Sequence, residues 1–438
     1  LSVYVMMPSS IPATPFETNG ADFTAEDMKQ WKDHDRVLGL GEVMCYPAVL
    51  ARDPVIMDKI SLCKDMVIDG HAPGLSGEDL KSYVQAGVMT EHECTSYEEA
   101  KEKCHAGMKI LVREGSAARN VDNIIPGLLH DLEDLKNYMF CTDDKHLDTI
   151  ENEGHIRYNI RRSIQLGMEP VDAVAMATYH AACAYGLEQI GLLEEGRDAD
   201  IVILDSLEEV SVDQVYRKGK QVTKDMFDME PAPIRESMLH TVILSDVTKE
   251  KIQVEAKGEI PVIGMVANQI TTEFLREEVP SQNGWFVPDK IYSKLCVIER
   301  HRGTGNVQAA PLKGYGITGG AIATSVAHDS HNIIAVGDCD EDILAAVKAM
   351  EELQGGYVLV SKGEVIGTLP LPIAGLLSME PSRKIQETID EMLKKAWDMG
   401  ISREIDPFIT LSFMALPVIP ELRLTDQGLV DVTHFQLL

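Results

Sequence analysis

Four apolar runs in this sequence stop on side chains able to bind a metal or carry a proton. They are Glu42 after Gly39-Leu40-Gly41, His71 after Asp69-Gly70, His92 between Glu91 and Glu93, and Asp143-Asp144 after Cys141-Thr142. Imidazole nitrogens and carboxylate oxygens suit zinc, manganese or iron, and such an ion makes hydroxide available near neutral pH by lowering the pKa of bound water. Each residue alone also has an ordinary structural reading. Glu42 can cap a helix, His71 can brace a turn, His92 can pair with a neighbouring Glu, and Asp143 with Asp144 can form an Asx turn. Four such groups at four strand ends favour one shared hydrolytic site.

To bring those ends together the chain needs parallel strands whose carboxyl ends point the same way, as in an α/β barrel. From residue 1 to about 190, short apolar runs alternate with segments of helical period, the pattern of βα units. Strands are expected at Ser2–Met7, Val37–Met44, Met66–His71, Val88–His92, Lys109–Glu114 and Tyr138–Asp143, with helical stretches between them such as Thr24–Trp31 and Ser96–Ala106. A longer helical region follows at His155–Leu166 and Val171–Leu187, with Pro170 near the start of its second helix. Residues 191–230 read as a small β domain portion, with a strand in Glu195–Leu204 and a Gly-turn hairpin around Val215–Val222. Residues 231–438 read as a separate α+β domain entered through a Pro231–Pro233 linker. Its strands are expected at Thr241–Leu244, Ile260–Val266, Ile333–Val336, Tyr357–Val360 and Glu364–Leu369, and its helices at Glu341–Leu353 and Ser382–Met399.

A chain of 438 residues is long enough for two or three such units. Its 70 acidic and 40 basic side chains leave a formal charge of -30, which repels phosphate backbones and anionic lipid heads, so neither nucleic acid nor a membrane is an expected partner. Eight cysteines are scattered without a CxxC pair, which fits a reducing, cytoplasmic setting. No basic-then-apolar leader and no apolar run of membrane length stands out. Leu1-Ser2-Val3-Tyr4-Val5-Met6-Met7 reads as a core strand already under way, so the chain is expected to begin inside a domain.

Taken in order, Gly39-Leu40-Gly41-Glu42-Val43-Met44, Asp69-Gly70-His71-Ala72-Pro73-Gly74-Leu75, Glu91-His92-Glu93-Cys94-Thr95, Arg113-Glu114-Gly115-Ser116-Ala117-Ala118-Arg119-Asn120 and Cys141-Thr142-Asp143-Asp144 resemble the strand-end motifs of bacterial adenine deaminases, in the amidohydrolase superfamily. Glu195-Gly196-Arg197-Asp198-Ala199-Asp200 resembles that superfamily's return to its small β domain. His328-Asp329-Ser330-His331-Asn332 and Leu369-Pro370-Leu371-Pro372-Ile373-Ala374-Gly375 extend the likeness to the C-terminal part. The resemblance implies an α/β fold, a (β/α)-barrel of the amidohydrolase type with a small β domain and a C-terminal α+β domain. It implies that Glu42 bridges two metal ions, that His71 and His92 bind one of them, and that Asp143 binds a metal while shuttling the proton. The implied cofactor is a binuclear centre of Mn or Fe, with Zn as a further option.

The implied reaction, in purine salvage or adenine catabolism, is hydrolysis of adenine to hypoxanthine and ammonia. Metal-held hydroxide attacks the amine-bearing carbon, and Asp143 passes the proton to the departing amine. The family's first barrel strand carries a His-x-His pair, and no such motif lies upstream of Glu42. On the resemblance, the chain enters at the third barrel strand, holds only part of the ligand set, and alone is expected to bind at most one metal ion with little activity. A homo-oligomer is the expected assembly.

Further motifs fill the expected pocket. In Arg113-Glu114-Gly115-Ser116, Glu114 is placed to protonate a purine ring nitrogen and Ser116 to hydrogen-bond it; the alternative is a loop salt bridge and a turn serine. His155 either faces the site or begins a helix. His331, in His328-Asp329-Ser330-His331, is either part of a polar strand connection or of a lid that binds substrate. Gly303-Thr304-Gly305 and Gly314–Gly320 lack the lysine and the context of a phosphate loop and read as turns. Two other functions fit in part. One is an amidohydrolase acting on a cyclic amide or another base, against which Glu42 argues, since such enzymes often use lysine at the bridging position. The other is an inactive fragment or scaffold chain.

Overall fold

A computed structural model of the chain describes residues 2–116, 118–227, 232–266, 270–403 and 405–438. Ala117 of the Arg113–Asn120 motif and Pro231 of the expected linker lie outside the described residues. The chain divides into two units, residues 1–10 with 23–232, and residues 11–22 with 233–438. Residues 11–22, expected to belong with the barrel, therefore count with the second unit.

In the first unit, β1 (Val5–Pro8), β2 (Val37–Val43) and β3 (Val67–Gly70) pair in parallel in that order. So do β4 (Thr90–Glu91), β5 (Lys109–Arg113) and β6 (Tyr138–Cys141). The Met89 amide donates to the Ile68 carbonyl at 2.8 Å and continues the run from one trio to the next. All six expected strands are present, but His71, His92, Glu114 and Asp143 fall just past the ladders, because the backbone there turns into loops. Two glycines allow the strands to close on one another. A Cβ on Gly39 would stand 1.8 Å from the Val67 carbonyl oxygen, and one on Gly70 would stand 2.4 Å from that of Thr90.

Helices Pro54–Leu62, Gly77–Gln85, Tyr97–His105 and Val121–Asp131 alternate with the strands. Asp53 caps the first through the Val55 amide with Pro54 at its opening position, and Ser96 caps the third through the Glu99 amide. Their apolar faces, including Leu80, Tyr83, Ile124, Ile125 and Leu128, share one core with Leu40, Ile68, Ile110, Val112 and Tyr138 of the strands. The helix expected over Thr24–Trp31 is one turn, Ala25–Met28, under a Thr24/Asp27 capping box. That expected over Val171–Leu187 breaks at Thr178 into Pro170–Ala177 and Tyr179–Ala184. The small β portion is an antiparallel set, β7 (Ile201–Ser206), β8 (Ser211–Arg217) and β9 (Lys220–Gln221).

The second unit is built on β10 (Glu259–Met265), β11 (Thr272–Glu278), β12 (Ser281–Gln282), β13 (Trp285–Phe286), β14 (Tyr292–Ile298), β15 (Val307–Lys313), β16 (Ala321–Thr324), β17 (Ile333–Gly337), β18 (Gly356–Ser361) and β19 (Glu364–Pro370). Eight of these form one sheet in the order β11-β10-β15-β14-β17-β16-β18-β19. Helix Asp340–Leu353 covers one face, packing Ile343, Val347 and Met350 on Cys296, Ile298 and Ala335. The other face meets helices Ser382–Asp398 and Pro407–Phe413 through Met392, Ala396, Phe408 and Leu411. Thr241–Leu244, expected as a strand, joins no ladder; Ile243 donates to Arg300 and Val242 to the Gln354 side chain, so its amides are used singly. Among the described residues no helix is long and apolar enough to cross a membrane.

Candidate active site

Glu42 stands where the pairing of β2 with β3 shifts register between Leu40 and Val43, and its φ of 24° is rare for a residue with a side chain. The strained bulge is tied down. Ser9 and Ser10 donate to the Glu42 carbonyl, Lys59 Nζ donates to the Ser9 carbonyl at 2.6 Å, and Tyr83 donates to the Val43 carbonyl at 2.6 Å. The same Tyr83 hydroxyl accepts from the His71 amide at 3.1 Å, linking the ends of β2 and β3. Asp143, two residues past β6, also has a positive φ, of 50°.

These ends converge. His71 Nδ1 lies 4.0 Å from Glu42 Oε2, and His92 Nε2 lies 3.7 Å from Glu42 Oε1 and 3.6 Å from Asp143 Oδ2. The two imidazole rings are 5.7 Å apart, and both histidines are buried. The structure therefore brings together Glu42, His71, His92 and Asp143. It adds two residues not singled out from sequence. Glu93 Oε1 stands 3.5 Å from His71 Nδ1 and 3.3 Å from His92 Nε2. Arg113 grips Glu93 with both terminal nitrogens, at 2.7 and 2.9 Å, and donates from Nη1 to Asp143 Oδ2 as well. Glu93 follows His92 just past β4 and Arg113 ends β5, so strand-end position is the sequence signal for both.

The electrostatics favour a cation. Burial alone would strip His92 of its proton, but Glu93 and Glu42 outweigh burial and push its pKa up to about 10. Burial likewise opposes ionisation of Glu93, yet His92, His71 and Arg113 hold its carboxyl well below the usual range. Neither ring nitrogen of buried His71 has a hydrogen-bond partner among the described residues. Two sets of donors, Glu42/His71/His92 and His92/Glu93/Asp143, each offer ligand atoms within 4.8 Å of one another. Imidazole nitrogens without a hydrogen-bond partner beside several carboxylates form a donor set that a divalent metal ion fits.

The remaining expected residues lie around these. Glu114 Oε2 accepts from the Val121 amide at 3.2 Å and Oε1 is 3.6 Å from Arg119; burial raises its carboxyl pKa. Ser116 bonds Thr149 and accepts from the His146 amide. His155 Nε2 bonds the Thr142 hydroxyl at 3.0 Å, next to Asp143, and burial lowers its pKa. His331 belongs to the second unit, where its carbonyl accepts from Arg300 and its Nδ1 has no hydrogen-bond partner among the described residues. A third donor group, Asp338/Cys339/Asp342, is occupied otherwise, since the two carboxylates accept the amides of Gly319, Gly320, Lys362 and Gly363.

Comparison with known proteins places this geometry in context. The sequence profile of the amidohydrolase family matches residues 1–222, and that of the adenine deaminase C-terminal domain matches residues 269–436. An adenine deaminase of Desulfitobacterium hafniense is 46% identical over 435 residues, which span 99% of this chain and 76% of the relative. Adenine deaminase 2 of Carboxydothermus hydrogenoformans is 41% identical over 443 residues, spanning 100% of this chain and 77% of the relative.

Proposed function

Because the chain belongs to the adenine deaminase family, within the amidohydrolases, we propose that it hydrolyses adenine to hypoxanthine and ammonia at the ends of β2, β3, β4 and β6. The observation that carries this reading is the convergence of Glu42, His71, His92 and Asp143 on one half-buried, carboxylate-rich site. These four residues would hold a divalent metal ion, which supplies a Lewis acid that brings the pKa of water toward neutrality. From the mixed imidazole and carboxylate donors we propose Mn or Fe, with Zn as the alternative.

The chain's own residues then do the rest. Asp143 accepts the proton that the attacking water gives up and delivers it to the amine leaving the ring. Water adds at the amine-bearing carbon and ammonia departs, so the atoms balance. Arg113 joins Asp143 to Glu93 and fixes the direction of the Asp143 carboxylate. Glu114, Ser116 and His155 are assigned to shaping the loops beside the site, since each carries bonds within them. The eight cysteines stand as free thiols, which supports a cytoplasmic setting. A homo-oligomer is proposed as the assembly, testable by light scattering.

Incubation of the Mn²⁺-loaded protein with adenine, other bases and cyclic amides tests the function. Hypoxanthine and ammonia in equal amounts from adenine are expected, at the low rate anticipated for this chain alone. Turnover of another base or a cyclic amide, with none of adenine, would overturn it.

A further inference from the structure

We infer that Glu91, acting with Lys103 and Glu99, is a positioning residue that sets the spacing of His71 and His92; the inference rests on the metal-site reading above. Side chains alternate across β4 and its end. Thr90 turns inward to bond Asp69 at 2.8 Å and His92 turns inward to the site, so Glu91 between them points back toward helix Tyr97–His105. Glu91 is fully buried there.

Its carboxylate is spent on main-chain amides. Oε1 accepts from His92 at 2.9 Å and from Glu93 at 2.6 Å. Oε2 accepts from Ala72, the residue after His71, at 2.9 Å, and from Lys103 Nζ at 3.2 Å. Lys103, also fully buried, donates to the Ala72 carbonyl at 2.6 Å and to Glu99 Oε1 at 2.7 Å. Glu99 completes the bridge by accepting from Gly74 at 2.9 Å and from Thr95 at 3.1 Å. Amides of the loop after β3 (residues 72 and 74) and of the loop after β4 (residues 92, 93 and 95) thus end on two carboxylates joined by one ammonium.

A buried ion pair is a costly way to gain stability, because well-packed apolar side chains often do as well. What this network supplies is direction. It holds the backbone on the C-terminal side of His71 and on both sides of His92 to one rigid frame, while among the described residues its own oxygens bond main-chain amides and Lys103 rather than the metal-competent side chains. Outer partners of this kind typically change metal affinity or activity about 10–100-fold when removed. Glu91→Gln keeps the shape but turns an NH₂ group against N–H donors on one side, so one pair of loop bonds must open.

The test uses the full chain and Mn²⁺ itself. Mn²⁺ affinity is measured by competition with a chelator for wild type, Glu91→Gln and Glu99→Gln, and the visible spectrum of the Co²⁺-loaded proteins reports ligand geometry. Glu91→Gln is expected to weaken Mn²⁺ binding about 10–100-fold and to shift the Co²⁺ bands, with Glu99→Gln showing a smaller loss in the same direction. Folded variants with wild-type Mn²⁺ affinity and Co²⁺ spectra would overturn the inference, whatever their thermal stability. Should Glu91→Gln fail to fold, Glu99→Gln decides in the same way. A wild-type chain that takes up no Mn²⁺ would instead overturn the metal-site reading, and the inference with it.

Discussion

Glu17→Gln should stabilise the second unit at pH 8 and flatten its pH dependence above pH 6.5. Glu17 lies in the segment of residues 11–22 that counts with that unit and is only 4% exposed. Its Oε1 accepts from the Ala13 amide at 2.9 Å, while Oε2 has no hydrogen-bond partner among the described residues. Burial, reinforced by the charges of Asp329 and Asp426 and opposed by the Ala13 amide, raises its pKa from 4.5 to about 8. The folded carboxyl keeps its proton where the unfolded one has lost it, so stability is full below pH 4.5 and falls as pH rises toward 8. His331 works in the opposite sense. Burial lowers its pKa from 6.5 to about 4, so the unfolded state binds the extra proton and stability rises across that interval.

The two effects oppose each other most strongly below pH 6.5; above it the remaining His331 contribution is small and is the same in wild type and variant. From pH 6.5 to about 8, Glu17 alone should cost about 2 kcal/mol, at about 1.36 kcal/mol per unit. Glutamine stays neutral throughout and keeps an oxygen for the Ala13 amide. Urea unfolding at pH 6.5 and 8, followed by tryptophan fluorescence, measures this, with Trp285 and Trp397 in the second unit and Trp31 in the first. Taking the difference between wild type and variant removes groups common to both. Equal losses in the two proteins between pH 6.5 and 8 would refute the reasoning.

Asp143→Asn should lower turnover of adenine about 10²–10⁴-fold, because an amide cannot take the shuttled proton. Its fold should be unchanged by circular dichroism, since asparagine tolerates the positive φ at this position and the side chain is 29% exposed. Arg113→Lys should lower kcat about 10–100-fold with little change in KM, as a single ammonium cannot grip Glu93 with two nitrogens and still hold Asp143; steady-state kinetics on adenine checks it. Gly39→Ala should destabilise the first unit by about 3 kcal/mol or more in urea unfolding, because the new methyl meets the Val67 carbonyl oxygen, which is backbone and cannot swing away.

The four ligand candidates are legible in the sequence because each stands where a buried apolar run has to stop, and in parallel strands those stops share one end of the barrel. Their partners depend on what lies across the site. A period of two puts Arg113 and Glu114 on opposite sides of a chain but does not say which side is inside; Glu114 has the more evident proton chemistry, yet Arg113 is the one that reaches Asp143. Glu91 and Glu93 both flank His92, and only the helix bearing Lys103 gives Glu91 to the backbone and leaves Glu93 for the imidazoles.

In the second unit the local pattern misleads for a related reason. Tyr292–Ile298 is a central strand although Ser293 and Lys294 interrupt its apolar run, because fully buried Lys294 is neutralised by Asp340. Val307–Lys313 is a strand despite Pro311, and Thr272–Glu278 is an edge strand whose polar residues hide it. Thr241–Leu244 has the apolar run, but its amides bond Arg300 and Gln354 singly and among the described residues it forms no ladder. The contact of the Thr18 amide with Asp426 spans almost the whole chain, and nothing in residues 11–22 read alone announces it. Strand ends follow from the chain's own residues, whereas partners such as Arg113 for Asp143 and Lys103 for the Ala72 carbonyl are chosen by pairing at long sequence separation. The site's ligands are therefore readable one by one, but the network that holds their geometry is readable only once the strands are side by side.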